Sequence, residues 1–170
     1  MNPSGLILAG LCALLWAPLA GSAAPAAARA VQGVVTRVGD GDSLSFAPAG
    51  QAAFELRLRD IDAPELCQPG GEEAHRALAD WVLDKSATVQ ATGRDKFGRT
   101  LGTLRVAGED IARRMVEEGH AWSIRTRWDR GPLVKQERMA RALNRGLHAQ
   151  PGAVMPGEFR RLHGPCAPQR

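Results

Sequence analysis

The chain has 170 residues, a formal net charge of +4 and 44% hydrophobic residues. This length is enough for one domain with a genuine core but hardly for two, so we expect one domain. The positive charge comes mainly from arginine, which is concentrated after residue 90. A basic face that binds polyanions would explain this pattern, although a solvated surface is by itself the simpler explanation.

The chain begins with an apolar run at residues 6–20 that contains Pro18 and is too short to cross a bilayer comfortably. Small residues follow and offer cleavage sites of the Ala-x-Ala type. We therefore predict that residues 1–30 are a signal peptide and leader, and that the protein is secreted or periplasmic. Residues 1–5 carry no Lys or Arg, so an uncleaved membrane anchor is the alternative.

Loss of the leader would remove Cys12 and leave two cysteines, Cys67 and Cys166. In an oxidising compartment we expect these two to form a disulfide. The bridge would close a loop of about 100 residues and hold the C-terminal tail, residues 151–170, beside Glu65. Two free thiols or an intermolecular bridge are the alternatives.

Three antiparallel strands in meander order are predicted at the start of a domain over residues 31–150. A β-rich run around Val34 to Val38 ends in a tight turn at 39–42, and alternating strands follow at 43–46 and 54–61. Pro64 cannot donate to a sheet ladder and forces Ala63 to be extended, so Glu65 must lie in the loop beyond the third strand.

Helical spacing predicts three helices, at 70–85, 108–118 and 132–144. Glu72 and Glu73 fall in the first turn of the first helix, Gly119 follows the second, and Pro132 begins the third. Two further strands are predicted at 87–92 and 100–106, and the tail beyond the third helix is rich in Pro and Gly. This order matches the α+β class and a five-stranded OB-fold β-barrel with three helices. The fold alone does not establish an activity.

Charges of both signs gather where the third strand ends. Asp62 and Glu65 offer oxygen ligands or a general base, while the planar guanidinium of Arg57 suits a phosphate. Metal-assisted attack on a phosphodiester needs this mixture, although a surface strand with ordinary salt bridges fits the stretch equally well. Strict alternation places Arg57 and Asp62 on opposite faces, so the strand must end, bulge or twist between them. Asp60 is an alternative ligand, but a solvent-facing carboxylate is the better interpretation.

Taken together, the motifs resemble the staphylococcal nuclease (thermonuclease) family. The resemblance covers nearly all of the chain after the leader, and no single motif would carry it. The matching segments are Asp-Gly-Asp-Ser at 40–43, the run from Arg57 through Asp62 and Pro64 to Glu65, Asp-Lys-Phe-Gly-Arg at 95–99, Gly-His-Ala-Trp at 119–122, and the third helix with the Gly-Leu that follows it.

This resemblance implies an OB barrel and a calcium-dependent phosphodiesterase that acts on DNA and RNA. Separately, we predict a monomer with no stable protein partner. It implies that Asp42 and Asp62 ligate Ca²⁺ together with the main-chain carbonyl of Ala63. By the same resemblance Glu65 would act as general base, and Arg57 and Arg99 would bind the phosphate.

The sequence departs from the family pattern at several positions. Phe97 replaces the usual tyrosine and the chain contains no tyrosine at all, so nucleotide contacts would have to come from residues such as Trp122, Trp128 or Arg125. Two other functions stay open: a catalytically silent barrel that binds nucleic acid or another polyanion, and an envelope protein whose calcium is structural. The presence of all five charged site residues favours the enzyme.

Overall fold

The computed structural model describes residues 30–125, 128 and 131–166, so nearly all of the predicted leader lies outside the described residues. Its strands and helices follow one another along the chain with short connections. The strands are β1 (Val31–Val38), β2 (Ser43–Pro48), β3 (Phe54–Leu58), β4 (Ile61–Asp62), β5 (Ser86–Arg94), β6 (Thr100–Val106), β7 (Glu109–Asp110) and β8 (Trp122–Ser123). The helices are α1 (Gly71–Val82), α2 (Ile111–Glu117), α3 (Val134–Ala142) and α4 (Pro156–His163), with a 3₁₀ turn at Gly146–Ala149.

Five of these strands close into a barrel. β1 pairs antiparallel with β2 and β5, β2 pairs with β3, and β5 pairs with β6. A parallel pairing of β3 with β6, in which Leu56 lies opposite Thr100, completes the ring. The α+β class and the five-stranded OB barrel predicted from the sequence are therefore confirmed.

The core consists of one cluster of apolar side chains from the barrel strands and two helices. In β3 the alternation places Leu56 and Leu58 inside with no exposed surface, and α1 adds a stripe that includes Leu78 and Val82. Burial of each such side chain contributes about 1.5–3 kcal/mol.

The third predicted strand, at 54–61, is divided in the structure. β3 ends at Leu58, and Asp60 adopts a left-handed conformation with φ of 70°. The short strand β4 then pairs with β8 instead of continuing the barrel ladder. This interruption supplies the break between Arg57 and Asp62 that strict alternation required.

The prediction of three helices was wrong by one. The predicted helices are present as α1, α2 and α3, but the tail contains a fourth, α4, which begins with Pro156 and ends before Gly164, whose φ is 74°. Proline in the first turn and a left-handed glycine after the last are ordinary helix boundaries. None of the helices in the described part of the chain has the length and apolar character needed to span a bilayer.

The predicted disulfide is present and attaches α4 to the rest of the fold. Cys67 and Cys166 are bonded, with their Cα atoms 5.7 Å apart. Next to Cys67, the buried side chain of Gln68 donates a hydrogen bond of 2.7 Å from Nε2 to the carbonyl oxygen of Val154. The loop that follows Glu65 therefore holds the segment containing α4 at both of its ends.

Candidate active site

The charged motifs converge on one pocket of about 380 Å³ at the mouth of the barrel. The turn between β1 and β2, strand β3, the loop after β4, the turn between β5 and β6, and α4 each contribute to it. Its lining residues are Asp40, Asp42, Arg57, Ala63, Glu65, Lys96, Phe97, Arg99 and Arg160. Asp62 lies at the same place, because its carboxylate is hydrogen-bonded to Arg57.

The turn before β2 is built so that Asp42 faces inward. Asp40 Oδ1 accepts hydrogen bonds from the backbone N–H groups of Asp42 and Ser43, at 3.0 and 2.8 Å. Such Asx turns fix the backbone two and three residues on. Gly41 allows the turn to pack closely, since a Cβ there would lie 2.6 Å from the Cβ of Ala63. Local chemistry therefore sets the direction of the Asp42 carboxylate.

Asp42 is almost fully buried, with 2% of its surface exposed. Its Oδ2 accepts a 2.7 Å hydrogen bond from the backbone N–H of Ala63. Its Oδ1 is in contact with Nη1 of Arg57 but receives no hydrogen bond of ordinary geometry within the described residues. A buried carboxylate oxygen without a well-aligned donor is costly, and a cation ligated there would satisfy it.

Arg57 lies between two carboxylates. While Nη1 contacts Asp42, Nη2 donates a 2.9 Å hydrogen bond to Oδ1 of Asp62. Burial lowers the pKa of Arg57, against the opposing effect of the negative charges on Asp62 and Asp40. The guanidinium nevertheless stays charged, because arginine does not lose its proton in proteins.

These contacts test whether the residues fit a divalent cation. Two carboxylates converge on one positive group, and hard cations such as Ca²⁺ prefer oxygen ligands of this kind. No three His, Cys, Asp or Glu side chains form a metal-binding group within residues 30–125, 128 and 131–166. The set implied by the family resemblance, Asp42, Asp62 and the carbonyl of Ala63, has only two carboxylates and so would not count as such a group.

Glu65 lies beyond β4 in a turn closed by Gln68. The backbone N–H of Gln68 donates to the Glu65 carbonyl at 2.8 Å, and the side-chain oxygen of Gln68 accepts from the Glu65 N–H at 3.3 Å. The Glu65 carboxylate is in direct contact with Nη1 of Arg160 in α4, and Nη2 of Arg160 lies 3.4 Å from Oδ2 of Asp62. Sequence reasoning missed Arg160, since no helix was predicted in the tail.

Arg99 reaches the pocket from the turn between β5 and β6. Asp95 orients it: Oδ2 accepts from Arg99 Nε at 2.7 Å, and Oδ1 accepts from the N–H groups of Phe97 and Arg99 at 2.9 and 3.0 Å. Desolvation would raise the pKa of Asp95, but these hydrogen bonds outweigh it and hold that pKa below its ordinary value. Asp95 therefore remains a charged anchor for Arg99.

The structure thus places the predicted site residues Asp42, Arg57, Asp62, Glu65 and Arg99 at one mouth of the barrel, with Ala63 between the two aspartates. Asp60 lies apart, because its carboxylate is 2.7 Å from Nε of Arg59.

The residues considered as replacements for the missing tyrosines differ in position. Phe97 lies at the pocket rim with 72% of its surface exposed, and Lys96 Nζ and the Arg99 guanidinium are 5.0 and 5.6 Å from its ring centre. Trp122 is in the core, and Arg125 contacts the buried Glu137. Trp128 is 86% exposed.

The chain is similar to known proteins over much of its length. The sequence profile of the family described as staphylococcal nuclease homologues matches residues 55–150, more than half of the chain. The chain belongs to this family.

Three relatives show how far the similarity extends. A rice protein (Oryza sativa subsp. japonica) named a probable staphylococcal-like nuclease is 38% identical over 108 residues, which are 64% of this chain but 29% of the relative. An uncharacterized endonuclease of Haemophilus influenzae is 31% identical over 75% of this chain and 71% of its own length. The micrococcal nuclease of Shigella flexneri is 33% identical over 76% of this chain and 80% of its own length.

Two parts of this staphylococcal nuclease homologue lie outside the segment matched by the family profile. The turn that carries Asp40 and Asp42 precedes residue 55, and α4 with Arg160 and Cys166 follows residue 150. The matched segment contains Arg57, Asp62, Glu65 and Arg99. The pocket therefore combines residues from the matched segment with residues on either side of it.

Proposed function

We propose that this protein is an exported, calcium-dependent nuclease that hydrolyses phosphodiester bonds of DNA, RNA or both. The observation that carries the proposal is the convergence of two aspartates, a glutamate and two arginines on one pocket in a homologue of the staphylococcal nuclease. Relatives named as nuclease and endonuclease support the same reaction class.

Asp42, Asp62 and the Ala63 carbonyl are the groups that would hold the cation. Because Ca²⁺ takes about 6–8 oxygen ligands, this set leaves positions for water and for a phosphate oxygen. When bound, the ion supplies Lewis-acid polarisation of the phosphate. The assignment is supported by the burial of Asp42 and by the pairing of both aspartates with the same cationic group, Arg57.

The remaining chemistry belongs to the chain's own side chains. Glu65 would take a proton from the attacking water, a role that typically contributes about 10²–10⁴ in rate. Arg57 and Arg99 would bind the phosphoryl oxygens, where negative charge grows in the transition state. Loss of one such donor typically costs about 10²–10³ in rate.

The test is cleavage of plasmid DNA and of RNA by the purified protein, in calcium and in chelator. We expect calcium-dependent cleavage that falls at least about 100-fold in Glu65→Gln and in Arg99→Gln. The matched controls are Glu109→Gln and Arg105→Gln, since Glu109 pairs with Arg114 and Arg105 with Asp110, outside the pocket lining. Salt-sensitive binding of DNA without cleavage by the wild-type protein would instead favour the silent binding module.

Export is proposed from the predicted leader and is supported by the disulfide, since such bonds persist in oxidising compartments. The test is mass spectrometry of the protein recovered outside the cytoplasm, before and after reduction. We expect a chain that begins near residue 31 and gains the mass of two hydrogen atoms on reduction of its disulfide. A chain that retains residues 6–20 would indicate the membrane anchor instead.

A further inference from the structure

Helix α4 is held against the pocket by more than its own packing. The disulfide from Cys67 to Cys166 fixes its C-terminal side, and the hydrogen bond from Gln68 to Val154 fixes the approach to its first turn. Both anchors come from the loop that immediately follows Glu65. Within α4 the buried residue is Pro156, so these anchors, and not an extensive apolar interface, set its position.

Adjacent arginines on α4 have different surroundings. Arg160 lines the pocket, where its two Nη atoms face the carboxylates of Glu65 and Asp62. Arg161 pairs with Glu158 of the same helix at 3.7 Å and its side chain is 70% exposed. The helix therefore directs one of the two guanidinium groups to the pocket and the other away from it.

Charge explains why this guanidinium matters to a polyanion. Asp62 and Glu65 lie next to each other at the rim, and without a neighbouring cation they would repel an approaching phosphodiester. Arg160 supplies a positive charge at that place. Guanidinium carries five N–H donors, of which the two carboxylates engage one on each Nη, and the Arg160 side chain remains 42% exposed. Donors are thus left for a further oxyanion.

We propose that Arg160 is a third phosphate-binding arginine of this site, and that the Cys67–Cys166 disulfide keeps it there. Its ligand is a phosphodiester of a nucleic acid strand lying across the rim formed by Asp62 and Glu65. This rests on the proposed nuclease function for the identity of the ligand.

The first test measures binding without cleavage. A fluorescent single-stranded DNA 12-mer is titrated in chelator, by anisotropy, over a series of salt concentrations. We expect Arg160→Gln to weaken binding about 10-fold and to reduce the slope of log affinity against log salt by about 0.7, the value for one phosphate contact on a single strand. Arg160→Lys should restore the slope while recovering part of the affinity, because it keeps the charge but not the fork.

Arg161→Gln is the matched control, since it removes the same group from the neighbouring position. We expect it to change the affinity less than about 2-fold, as is usual for an exposed charge away from the contact. Equal losses in Arg160→Gln and Arg161→Gln would mean that only the net charge of α4 matters. Tighter binding by Arg160→Gln would mean that the contacts of Arg160 with Glu65 and Asp62 keep the DNA out of the pocket. Unchanged binding would mean that Arg160 does not contact the DNA. Any of these results overturns the proposal.

The second test examines the disulfide with a double-mutant cycle. We expect Cys67→Ser/Cys166→Ser to weaken oligonucleotide binding about as much as Arg160→Gln, and to weaken it little further when the two changes are combined. Reduction of the wild-type protein should have the same effect. Fully additive losses would show that the disulfide does not act through Arg160 and would overturn that part of the proposal.

Cleavage assays separate this proposal from the one above. In calcium, Arg160→Gln should raise KM about 10-fold and change kcat only a few-fold. If the wild-type protein cleaves and Arg160→Gln has unchanged KM and affinity, the role of Arg160 fails while the nuclease stands. If the wild-type protein binds DNA but does not cleave it, the proposed nuclease function is wrong. The difference in affinity between the wild-type protein and Arg160→Gln would still decide the role of Arg160.

Discussion

Asp42 is a buried charge whose two oxygens have unlike partners. Oδ2 accepts a hydrogen bond from the Ala63 N–H, while Oδ1 is paired with the guanidinium of Arg57. Removing a charge from water costs several kcal/mol per ion, and one close partner repays this only with good geometry. A divalent cation bound between Asp42 and Asp62 would improve that balance, so calcium should stabilise the folded protein.

We therefore predict that calcium raises the melting temperature of the wild-type protein. A ligand at 100 times its dissociation constant stabilises a fold by about 2.7 kcal/mol, which corresponds to several degrees for a chain of this size. Asp42→Asn keeps the side-chain oxygen but removes the charge, so its calcium-dependent shift should be largely lost. The measurement is thermal denaturation with and without calcium.

Asp60→Asn provides the control for this measurement. Asp60 lies two residues from Asp62, yet its carboxylate pairs with Arg59, and its left-handed backbone suits asparagine. The calcium shift should survive in this variant. A full shift in Asp42→Asn, or a loss of the shift in Asp60→Asn, would contradict the proposed ligand set.

At the scale of elements, the break between β3 and β4 decides whether the site can form. Arg59 N–H donates to the Gly102 carbonyl at 3.1 Å, and the Asp60 carbonyl accepts from Ile124 N–H at 2.9 Å. The chain thereby leaves the barrel ladder and brings Asp62 back toward Arg57. Alternation along the sequence predicted that a break was needed, but the partners that fix it are distant in the chain and could not be read locally.

Helix α3 supports the same region through Glu137. This carboxylate is buried and accepts hydrogen bonds from the Ser123 N–H at 3.1 Å, from Arg141 at 2.9 Å and from Arg125. Because β8 pairs with β4, placing Trp122 opposite Asp62, Glu137 connects α3 to the strand that carries a site aspartate. The spacing within α3 predicted the helix, but not this link.

We predict that Glu137→Gln lowers the free energy of unfolding by about 1–3 kcal/mol at neutral pH, the usual cost of impairing a buried hydrogen-bond partner. Burial tends to raise the pKa of Glu137, but hydrogen bonds from Arg125 and the Ser123 N–H outweigh it, so that pKa lies below its ordinary value of 4.5. This carboxylate therefore stabilises the fold above about pH 4.5, and its contribution is lost as the pH falls through its folded-state value.

The measurement is urea denaturation of the wild-type protein and Glu137→Gln between pH 7 and pH 3. The difference between them should be largest near neutrality and should shrink in acid. Glu109→Gln, in which an exposed carboxylate on β7 is changed, should differ little from the wild type at any pH. A difference for Glu137→Gln that does not vary with pH would show that its charge contributes nothing.

Helix α4 shows where the sequence interpretation failed at this scale. Its boundary signals are present in the sequence: Pro156 at the start, Glu158 in the first turn, Arg160 and Arg161 in the last, and Gly164 afterwards. The surrounding Pro and Gly residues obscured them, and eight residues are too few for a helix that is stable alone. The disulfide supplies the missing stabilisation, and the contact with Glu65 depends on it.

For the molecule as a whole, the barrel and its site were largely predictable while the tail was not. Strand alternation, helix boundaries and the family motifs act within short stretches, and they predicted the barrel strands, α1 to α3 and the convergence of Arg57, Asp62 and Glu65 on one pocket. The Arg160 contact joins positions 95 residues apart in sequence. A pairing of this kind depends on the assembled fold and leaves no local pattern.

The disulfide also stabilises the whole protein, because it reduces the conformational entropy of the unfolded chain. It joins residues 99 positions apart, a loop that includes all four helices but only two of the five barrel strands, β5 and β6. The chain-entropy model gives about 4–5 kcal/mol for a loop of this size. We predict that reduction lowers the free energy of unfolding by up to this amount, measured by urea denaturation, and that Cys67→Ser/Cys166→Ser matches the reduced protein.

Truncation of the protein after residue 153 tests whether the disulfide stabilises the protein by restricting the unfolded chain or by holding α4 in the folded state. The truncated protein lacks both α4 and the disulfide. Pro156 is the buried residue of the helix and Phe159 is half-buried, and the truncation also removes the Val154 carbonyl that accepts from the buried Gln68. We therefore expect the truncated protein to be less stable than the reduced full-length protein by no more than about 3 kcal/mol, the usual upper cost of leaving one buried donor unsatisfied. If truncation cost several kcal/mol more than reduction, packing of α4 in the folded state would be the larger source of stability. The bridge would then act chiefly by holding that packed helix, and not by restricting the unfolded chain.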